Sequence, residues 1–234
     1  MTSDQIRERE RQLAGSFWRR FLQSVPGQMF SNPPVYSLPQ EMLMQGDWRM
    51  LEIGAGTGSR ILLFDQKLRF QGVSAVGVEP SPKLARKAER AFVSNARPAT
   101  AVLADPAALP FADGVFDVAF CDDLLRFLDV RGAQAVLREA ARVLKRGSLL
   151  LVWDLAPPAG RWAWWQRLWL RGYKGRHANT NSLMGLAERS GFDITREANL
   201  RPWFWPPIPR ASFVASTLLP GWRLEGRNLI PPDS

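Results

Sequence analysis

Short apolar runs alternate with amphipathic segments between positions 48 and 155. The runs 49–53, 73–78, 99–104, 116–121 and 148–155 are strand-length, and helical periodicity fills 59–69, 82–93 and 131–144. This alternation is typical of a parallel sheet with helical crossovers on both faces. A further helix at 180–190 and late strands near 193–199 and 211–218 complete the pattern. It predicts an α/β fold with a doubly wound, mostly parallel seven-stranded sheet.

Segments of different character flank this region. Residues 3–25 place Ile6, Leu13 and Phe17 at helical spacing with arginines between them, which predicts a basic amphipathic helix capped by Ser3. The prolines in 31–39 predict a linker. The expected domains are therefore 1–47 for the N-terminal helix and linker, 48–219 for the α/β domain with an insertion at 156–179, and 220–234 for a C-terminal tail.

The first strand runs directly into three glycines at alternate positions, Gly54, Gly56 and Gly58. Glycine allows a tight turn and a close backbone approach to a ligand, and the following helix directs its N-terminal amides there. Glu79 ends the second strand, and Asp105 ends the third. A carboxylate at each place can accept from ribose hydroxyls and from an adenine amino group, respectively. Glycines after the first strand, followed by carboxylates at the ends of the second and third strands, predict a site for an adenosine-bearing cofactor.

These residues resemble the class I S-adenosylmethionine-dependent methyltransferases. The matching pieces are 51–58, 76–81, 105–111, 116–120 and 137–147. They look most like the subgroup that acts on small molecules, quinones or lipids. The resemblance implies a Rossmann-like fold and a methyltransferase that converts S-adenosyl-L-methionine to S-adenosyl-L-homocysteine. A nicotinamide cofactor is disfavoured, because its G-x-G-x-x-G spacing would need glycine or alanine where Ser59 stands.

The resemblance also implies which residues hold the cofactor. The glycine loop holds the methionine end, Glu79 the ribose and Asp105 the adenine, and the end of strand four faces the amino group and the methyl. No metal site is predicted. The expected cofactor residues are Glu52, Gly54, Ala55, Gly56, Gly58, Glu79, Pro80, Ser81, Asp105, Pro106, Cys121 and Asp122.

Three residues are candidates for a catalytic base. Methyl transfer from a sulfonium is a direct displacement, so a base is needed only if the acceptor arrives protonated. The candidates are Asp122, Asp123 and His177, which is the single histidine. Each has a structural alternative: the carboxylates can orient the cofactor or cap the next helix, and the histidine can be an exposed loop residue. The family often has serine or histidine after strand four, so roles there do not carry over directly to 121–123.

Tryptophan and arginine are concentrated in the insertion 156–179. At 100° per residue its tryptophans and leucines share one face, and Arg167, Arg171 and Lys174 the other. One interpretation is a lid that closes over a small apolar acceptor. A second is a contact with an anionic membrane, which would suit a phospholipid or isoprenoid-quinone methyltransferase. Stacking on single-stranded RNA is not favoured, because no separate RNA-binding module is visible. The expected lid residues are Tyr36, Trp162, Trp165, Trp169 and Tyr173.

The composition of the chain bears on its binding partners and on its cellular compartment. The 234 residues carry a formal net charge of +9, which attracts polyanions and acidic small molecules. No apolar run approaches the length of a spanning helix, the charged N-terminus lacks the apolar core of a signal peptide, and the single cysteine excludes an internal disulfide. We expect a cytoplasmic protein, with membrane association as an alternative. A cofactor-binding module without activity is the alternative from another class, and the sequence leaves the acceptor atom and the oligomeric state open.

Overall fold

The structure is a computed structural model that describes residues 1–13, 48–68, 74–171, 175–197, 209–217, 223–225 and 228–230. Two 3₁₀ turns, Leu125–Phe127 and Gly160–Trp162, lie between the regular elements. The helices are α1 (Ser3–Leu13), α2 (Ser59–Leu68), α3 (Pro82–Ser94), α4 (Val130–Val143), α5 (Ala163–Leu170) and α6 (Thr180–Glu188). The strands are β1 (Arg49–Ile53), β2 (Ser74–Glu79), β3 (Ala99–Leu103), β4 (Phe116–Asp122), β5 (Leu144–Leu155), β6 (Phe192–Glu197), β7 (Arg210–Thr217), β8 (Arg223–Glu225) and β9 (Asn228–Ile230).

The main sheet has seven strands in the order β3-β2-β1-β4-β5-β7-β6. Strands β1 to β5 pair in parallel, and β7 is antiparallel to both β5 and β6. The predicted fold class is therefore confirmed. Because β2 and β4 lie on opposite sides of β1, the strand order reverses there, and a crevice opens at the carboxyl ends of β1 and β4.

Alternating side chains of the strands build one core on each face of the sheet. Leu51 and Ile53 of β1 face the side covered by α4 and α6, where they are fully buried. Met50 faces the side covered by α2 and α3, where it packs in one cluster with Phe92. The same alternation directs Glu52 towards the α2 side, although it is charged.

The turn from α4 to β5 differs from the sequence prediction. The sequence pattern predicts a helix to residue 144 and a strand only from residue 148, but α4 ends at Val143 and β5 begins at once, because Leu144 is extended and pairs with Phe116. Gly147, at φ +75°, lies inside β5, where the pairing with β4 shifts register. The other end of α4 is capped by Asp129, which accepts from the Gly132 amide at 2.7 Å.

Several predictions concern segments outside the described residues. The helix predicted over 3–25 is described only through Leu13, and the remainder and the proline-rich linker lie outside. The predicted tail 220–234 contains the short hairpin of β8 and β9, which pair antiparallel. No described helix has the length and apolar character that would let it cross a bilayer.

Candidate active site

The glycine loop between β1 and α2 is bound to the end of β2. The amides of Gly54 and Ala55 both donate to the Val78 carbonyl, at 2.8 and 2.9 Å. Gly54, Gly56 and Gly58 have φ values of +81°, +57° and +76°, a left-handed conformation that disfavours other residues. At Gly58 a Cβ would also lie 2.6 Å from the Phe92 ring. The loop therefore requires glycine for its backbone and for its packing against α3.

Glu79 joins the glycine loop to the start of α3. Its Oε2 accepts from the Gly56 amide at 2.8 Å, and its Oε1 accepts from the Ser81 amide at 3.2 Å. Ser81 is the N-cap of α3, and its hydroxyl accepts from the Leu84 amide at 3.1 Å. The carboxylate is fully buried, and Oε2 also accepts two longer bonds from Arg9, at 3.4 Å each. Oε1 is therefore the oxygen with capacity for another donor.

Helix α1 lies across this cleft, which the sequence did not predict. Arg9 is 2% exposed and donates to the Gly54 carbonyl at 2.6 Å and to the Asp123 carbonyl at 2.7 Å. It also lies 3.4 Å from Glu79 Oε2. The amino group of Met1 donates to Asp105 at 2.7 Å. The first helix thus contacts the residues at the ends of β1, β2, β3 and β4.

A second arginine lies beneath the glycine loop. Arg60, in the first turn of α2, pairs with Asp122 at the end of β4, and its guanidinium stacks on Trp153 with 5.3 Å between the group and the ring centroid. Glu52 lies beside them, and burial raises its pKa to about 8, so its carboxyl group is mainly protonated at pH 7. These side chains border a cleft of about 50 Å³ together with Gly54 and further loop residues.

A third buried arginine connects the ends of β4 and β5. Arg126 pairs with both oxygens of Asp123, at 2.8 and 3.1 Å, and with Gln12 of α1 at 2.7 Å. Its amide donates to Asp154 at 3.0 Å. Burial raises the pKa of Asp123, but the charges of Arg126, Arg210 and Arg9 and the hydrogen bonds from Arg126 together outweigh it and lower this pKa to about 2. Asp123 is therefore held ionised, which makes it a weak candidate for a base.

A cavity of about 270 Å³ lies next to this arginine, between the start of α4 and α6. Asp154 and His177 are at its polar end. Burial and the charge of Asp123 raise the pKa of Asp154. Burial and the charge of Arg126 lower the pKa of His177, and no described residue bonds its buried Nε2. The apolar lining comprises Leu125, Leu128, Val130, Ala133, Pro157, Ala178, Leu183 and Leu186.

The structure brings most predicted cofactor residues together and places one elsewhere. The small cleft is bordered by Glu52, Gly54, Ala55, Gly56, Asp122 and Asp123 but not by Gly58, and Pro80 and Pro106 are buried next to Glu79 and Asp105. Cys121 instead points into the core on the α4 side, and burial raises the pKa of its thiol. The prediction that it faces the cofactor overlooked strand alternation, since its neighbour Asp122 points to the opposite face.

The predicted tryptophan lid is corrected in part. Trp162 and Trp165 are half-buried, and neither borders the cavity, which the insertion reaches through Pro157 and residues 176–179. The side chain of Trp169, and Tyr36 and Tyr173 entirely, lie outside the described residues. Whether these tryptophans contact an acceptor therefore stays a prediction.

The predicted apolar face of α5 is wrong. Gln166 and Leu170 are buried, whereas Trp164 and Leu168 are 61% and 48% exposed. The helix follows a 3₁₀ turn, and Gln166 turns inward because its Oε1 accepts from the Ala159 amide at 2.9 Å. At this helix the buried positions follow a partly buried hydrogen bond rather than the hydrophobic pattern.

Sequence reasoning missed four residues at the site: Arg9, Arg60, Arg126 and Asp154. Asp154 follows the apolar run 149–153, so the strand-end rule that identified Glu79 could have found it. Arg60 had a weaker signal, a cation in the first turn after a glycine loop. Arg9 and Arg126 had no signal in the sequence, because Arg9 lies 70 residues from Glu79 and Arg126 lies 114 residues from Gln12.

The site fits S-adenosylmethionine. Glu79 has acceptor capacity for ribose hydroxyls, and the loop glycines leave the cleft open to a ligand. Glu52, Arg60 and Asp122 border the cleft, and each has a buried polar atom without a described partner. A cofactor of this shape and charge would supply the partners that these atoms lack.

Known proteins support the same assignment. A family described as a methyltransferase domain matches residues 51–152. Demethylmenaquinone methyltransferase of Thermus thermophilus is 34% identical over 111 residues, which are 47% of this chain and 48% of that protein. The human thiol S-methyltransferase TMT1B is 30% identical over 174 residues, 70% of this chain and 68% of that protein. The chain thus spans about half the length of the first relative and about two thirds of the second.

Solved structures agree on the fold. A SAM-dependent methyltransferase from Methanosarcina mazei superposes with a TM-score of 0.61 at 22% identity, over 77% of this chain and 97% of that one. Together with the described cleft and the sequence relatives, this similarity establishes the family. The chain belongs to the class I S-adenosylmethionine-dependent methyltransferases, and its cofactor is S-adenosylmethionine.

Proposed function

We propose that this methyltransferase acts on a small acceptor with an apolar body and a thiol or hydroxyl group, bound in the cavity between α4 and α6. The cavity itself is the observation that carries the proposal. Its volume of about 270 Å³ is near the lower end of small-ligand pockets, and slightly more than half of its lining residues are apolar. Its polar end lies at Arg126, which also contacts Asp123 of the cofactor cleft.

His177 supports an acceptor that arrives protonated. Because its pKa is lowered, the imidazole is neutral at pH 7, and Nε2 has no described partner. A neutral imidazole can take the proton of a thiol or hydroxyl as that group attacks the methyl carbon. The carbon–sulfur bond of the sulfonium then breaks with its electron pair on sulfur, leaving the methylated acceptor and a thioether product. Relatives named for thiol S-methylation and O-methylation point the same way.

For the cofactor, we propose the residue roles that the family resemblance implies. Glu79 accepts from the ribose hydroxyls, Asp105 accepts from the adenine amino group, and the loop from Gly54 to Gly58 holds the methionine end. The free acceptor capacity of Glu79 supports the first role. Calorimetry with S-adenosylhomocysteine checks it: Glu79→Gln should weaken binding about 30-fold, since hydrogen bonds to charged groups are worth about 1.5–3 kcal/mol.

A matched pair of variants tests the acceptor cavity. Leu183→Trp fills it, whereas Val93→Trp adds the same ring to a side chain that is 72% exposed on α3. Methyl transfer from labelled S-adenosylmethionine to a panel of alkyl thiols, phenols and hydroquinones should fall only in Leu183→Trp. Both variants should still bind S-adenosylhomocysteine. Equal activity of the two variants towards every methylated acceptor would place the acceptor elsewhere.

A second candidate is a membrane-surface lipid or quinone methyltransferase. The outward face of α5 supports it, because Trp164, Arg167, Leu168 and Arg171 are exposed at helical spacing. Aromatic and basic residues on one helical face are typical of binding to anionic bilayers. Flotation with anionic and neutral vesicles tests this function: binding should be salt-sensitive and weakened by Trp164→Ser but not by Val93→Ser. No difference between the two vesicle types would remove this candidate.

A further inference from the structure

Four buried polar atoms beneath the glycine loop have no hydrogen-bond partner among the described residues. They are Glu52 Oε2, Arg60 Nε, Arg60 Nη1 and Asp122 Oδ1. All three side chains border the small cleft beside Gly54. Arg60 and Glu52 are each 3% exposed, so these side chains have little contact with bulk solvent. Unpaired buried polar atoms carry the full cost of desolvation, and a ligand that bonds to them removes this cost.

We propose that Arg60 binds the carboxylate of the cofactor's methionine end, and that Asp122 Oδ1 accepts from the ammonium group of the same end. Arg60 is then the residue that selects a cofactor with an intact amino-acid group. This inference rests on the cofactor-binding role that we propose for the cleft.

The charges beneath the loop match an α-amino acid. Asp122 and Arg60 form one ion pair, each has buried polar atoms without a described partner, and both residues border the cleft. An α-amino acid carries an anion and a cation two bonds apart, so it can bind to both partners at once. Trp153 limits the rotation of the Arg60 guanidinium by stacking on it, which holds the remaining donors in place.

Arg9 is the other buried arginine at this cleft, and its bonding differs. Its donors already bind the carbonyls of Gly54 and Asp123, and it lies against Glu79. No atom of Arg9 is among the unpaired ones. The described residues therefore favour Arg60 over Arg9 as the carboxylate ligand.

Calorimetry with two ligands tests this role. The ligands are S-adenosylhomocysteine and its carboxyl methyl ester, which keeps the ammonium group and loses the negative charge. The wild-type protein should bind the acid about 10- to 100-fold more tightly than the ester, as expected for a charge-assisted hydrogen bond. In Arg60→Gln this ratio should fall below about 3-fold. Arg86→Gln removes an exposed arginine of α3 and should keep the wild-type ratio.

The ratio separates carboxylate recognition from general damage to the cleft, which would weaken both ligands equally. A wild-type ratio in Arg60→Gln would overturn the proposal. Failure of the wild-type protein to bind S-adenosylhomocysteine would overturn the cofactor site itself, which is a different result.

A measurement on the wild-type protein keeps the test independent of how the variant folds. With ¹⁵N-labelled arginine, S-adenosylhomocysteine should shift the Arg60 Nε resonance, and the ester should leave it near its free position. Equal shifts with the acid and the ester would contradict the role of Arg60.

Discussion

The cleft at the glycine loop and the cavity between α4 and α6 lie at the same edge of the sheet but are built differently. The cleft is formed by one continuous loop, Gly54 to Gly58, whose amides bond to β2, and by carboxylates at strand ends. The cavity is enclosed by side chains of α4 and α6 and by residues 176–179, far apart in sequence. Backbone geometry therefore defines the cleft, whereas the packing of helices defines the cavity. The first can be recognised locally, and the second depends on the whole fold.

The largest expected effect is the loss of stability in Gly58→Ala, which alters the glycine loop of the cleft and leaves the cavity unchanged. An alanine here adopts a left-handed conformation at a cost of about 1–2 kcal/mol. Its Cβ also overlaps the Phe92 ring, which adds about 1–3 kcal/mol. We expect a loss of about 2–5 kcal/mol in urea unfolding. Gly114→Ala is the matched control, because its φ is +65° and nothing lies within 4 Å of the added Cβ. Equal losses in both variants would show that the Phe92 contact is unimportant.

Glu52→Gln tests the charge state of the cleft. The pKa of Glu52 in the folded protein is about 8, above its ordinary value of 4.5. The protonated carboxyl therefore contributes its full stability to the fold below pH 4.5, and this contribution is lost as the pH rises towards 8. The glutamine stays neutral, and we expect it to be more stable than wild type by up to about 3 kcal/mol at pH 7. The two proteins should be nearly equal at pH 4. Parallel stability curves from pH 4 to 8, measured without cofactor, would contradict the raised pKa.

His177→Gln tests the cavity without changing the cleft, because it removes a titrating side chain that lines only the cavity. We expect kcat/KM to fall about 100-fold for an acceptor that arrives protonated. In wild type, activity should decline as pH falls through a pKa below the ordinary value, because burial and Arg126 disfavour the charged imidazole. The variant should lack this decline, and its affinity for S-adenosylhomocysteine should be unchanged. A persistent acid limb would assign the base to another group, with Asp154 the next candidate.

The smallest expected effect is that of Arg9→Gln, at the boundary of the cleft. Arg9 bonds the Gly54 carbonyl and lies near Glu79, so we expect the cofactor to compete with it for these acceptors. Removing the guanidinium should tighten S-adenosylhomocysteine binding about 3- to 10-fold. Arg7→Gln is the control, since this exposed arginine of the same helix pairs only with Asp4 in the described residues. Weaker binding in Arg9→Gln would instead make Arg9 a ligand of the cofactor.

Helix α5 shows why hydrophobic pattern alone was insufficient after β5. The tryptophans of this segment share a face on a helical wheel, but the buried positions are Gln166 and Leu170. The preceding 3₁₀ turn and the Gln166 bond to Ala159 decide which side faces inward. Neither is encoded in the period of apolar residues. By contrast, the strands before β5 were predicted within about one residue, because apolar runs between turn residues have few alternatives.

The sequence by itself determined the sheet, the glycine loop and the carboxylates of Glu79 and Asp105, because these features follow from local periodicity and from the ends of successive strands. Only the tertiary structure decided which cations meet them. Arg9 comes from a helix 70 residues before Glu79, and Arg60 and Asp122 meet beneath the loop 62 residues apart. The cavity also appears only in three dimensions, since it lies between α4 and α6. Side-chain partners depend on chain segments converging in space, and a hydrophobic pattern specifies burial without specifying those partners.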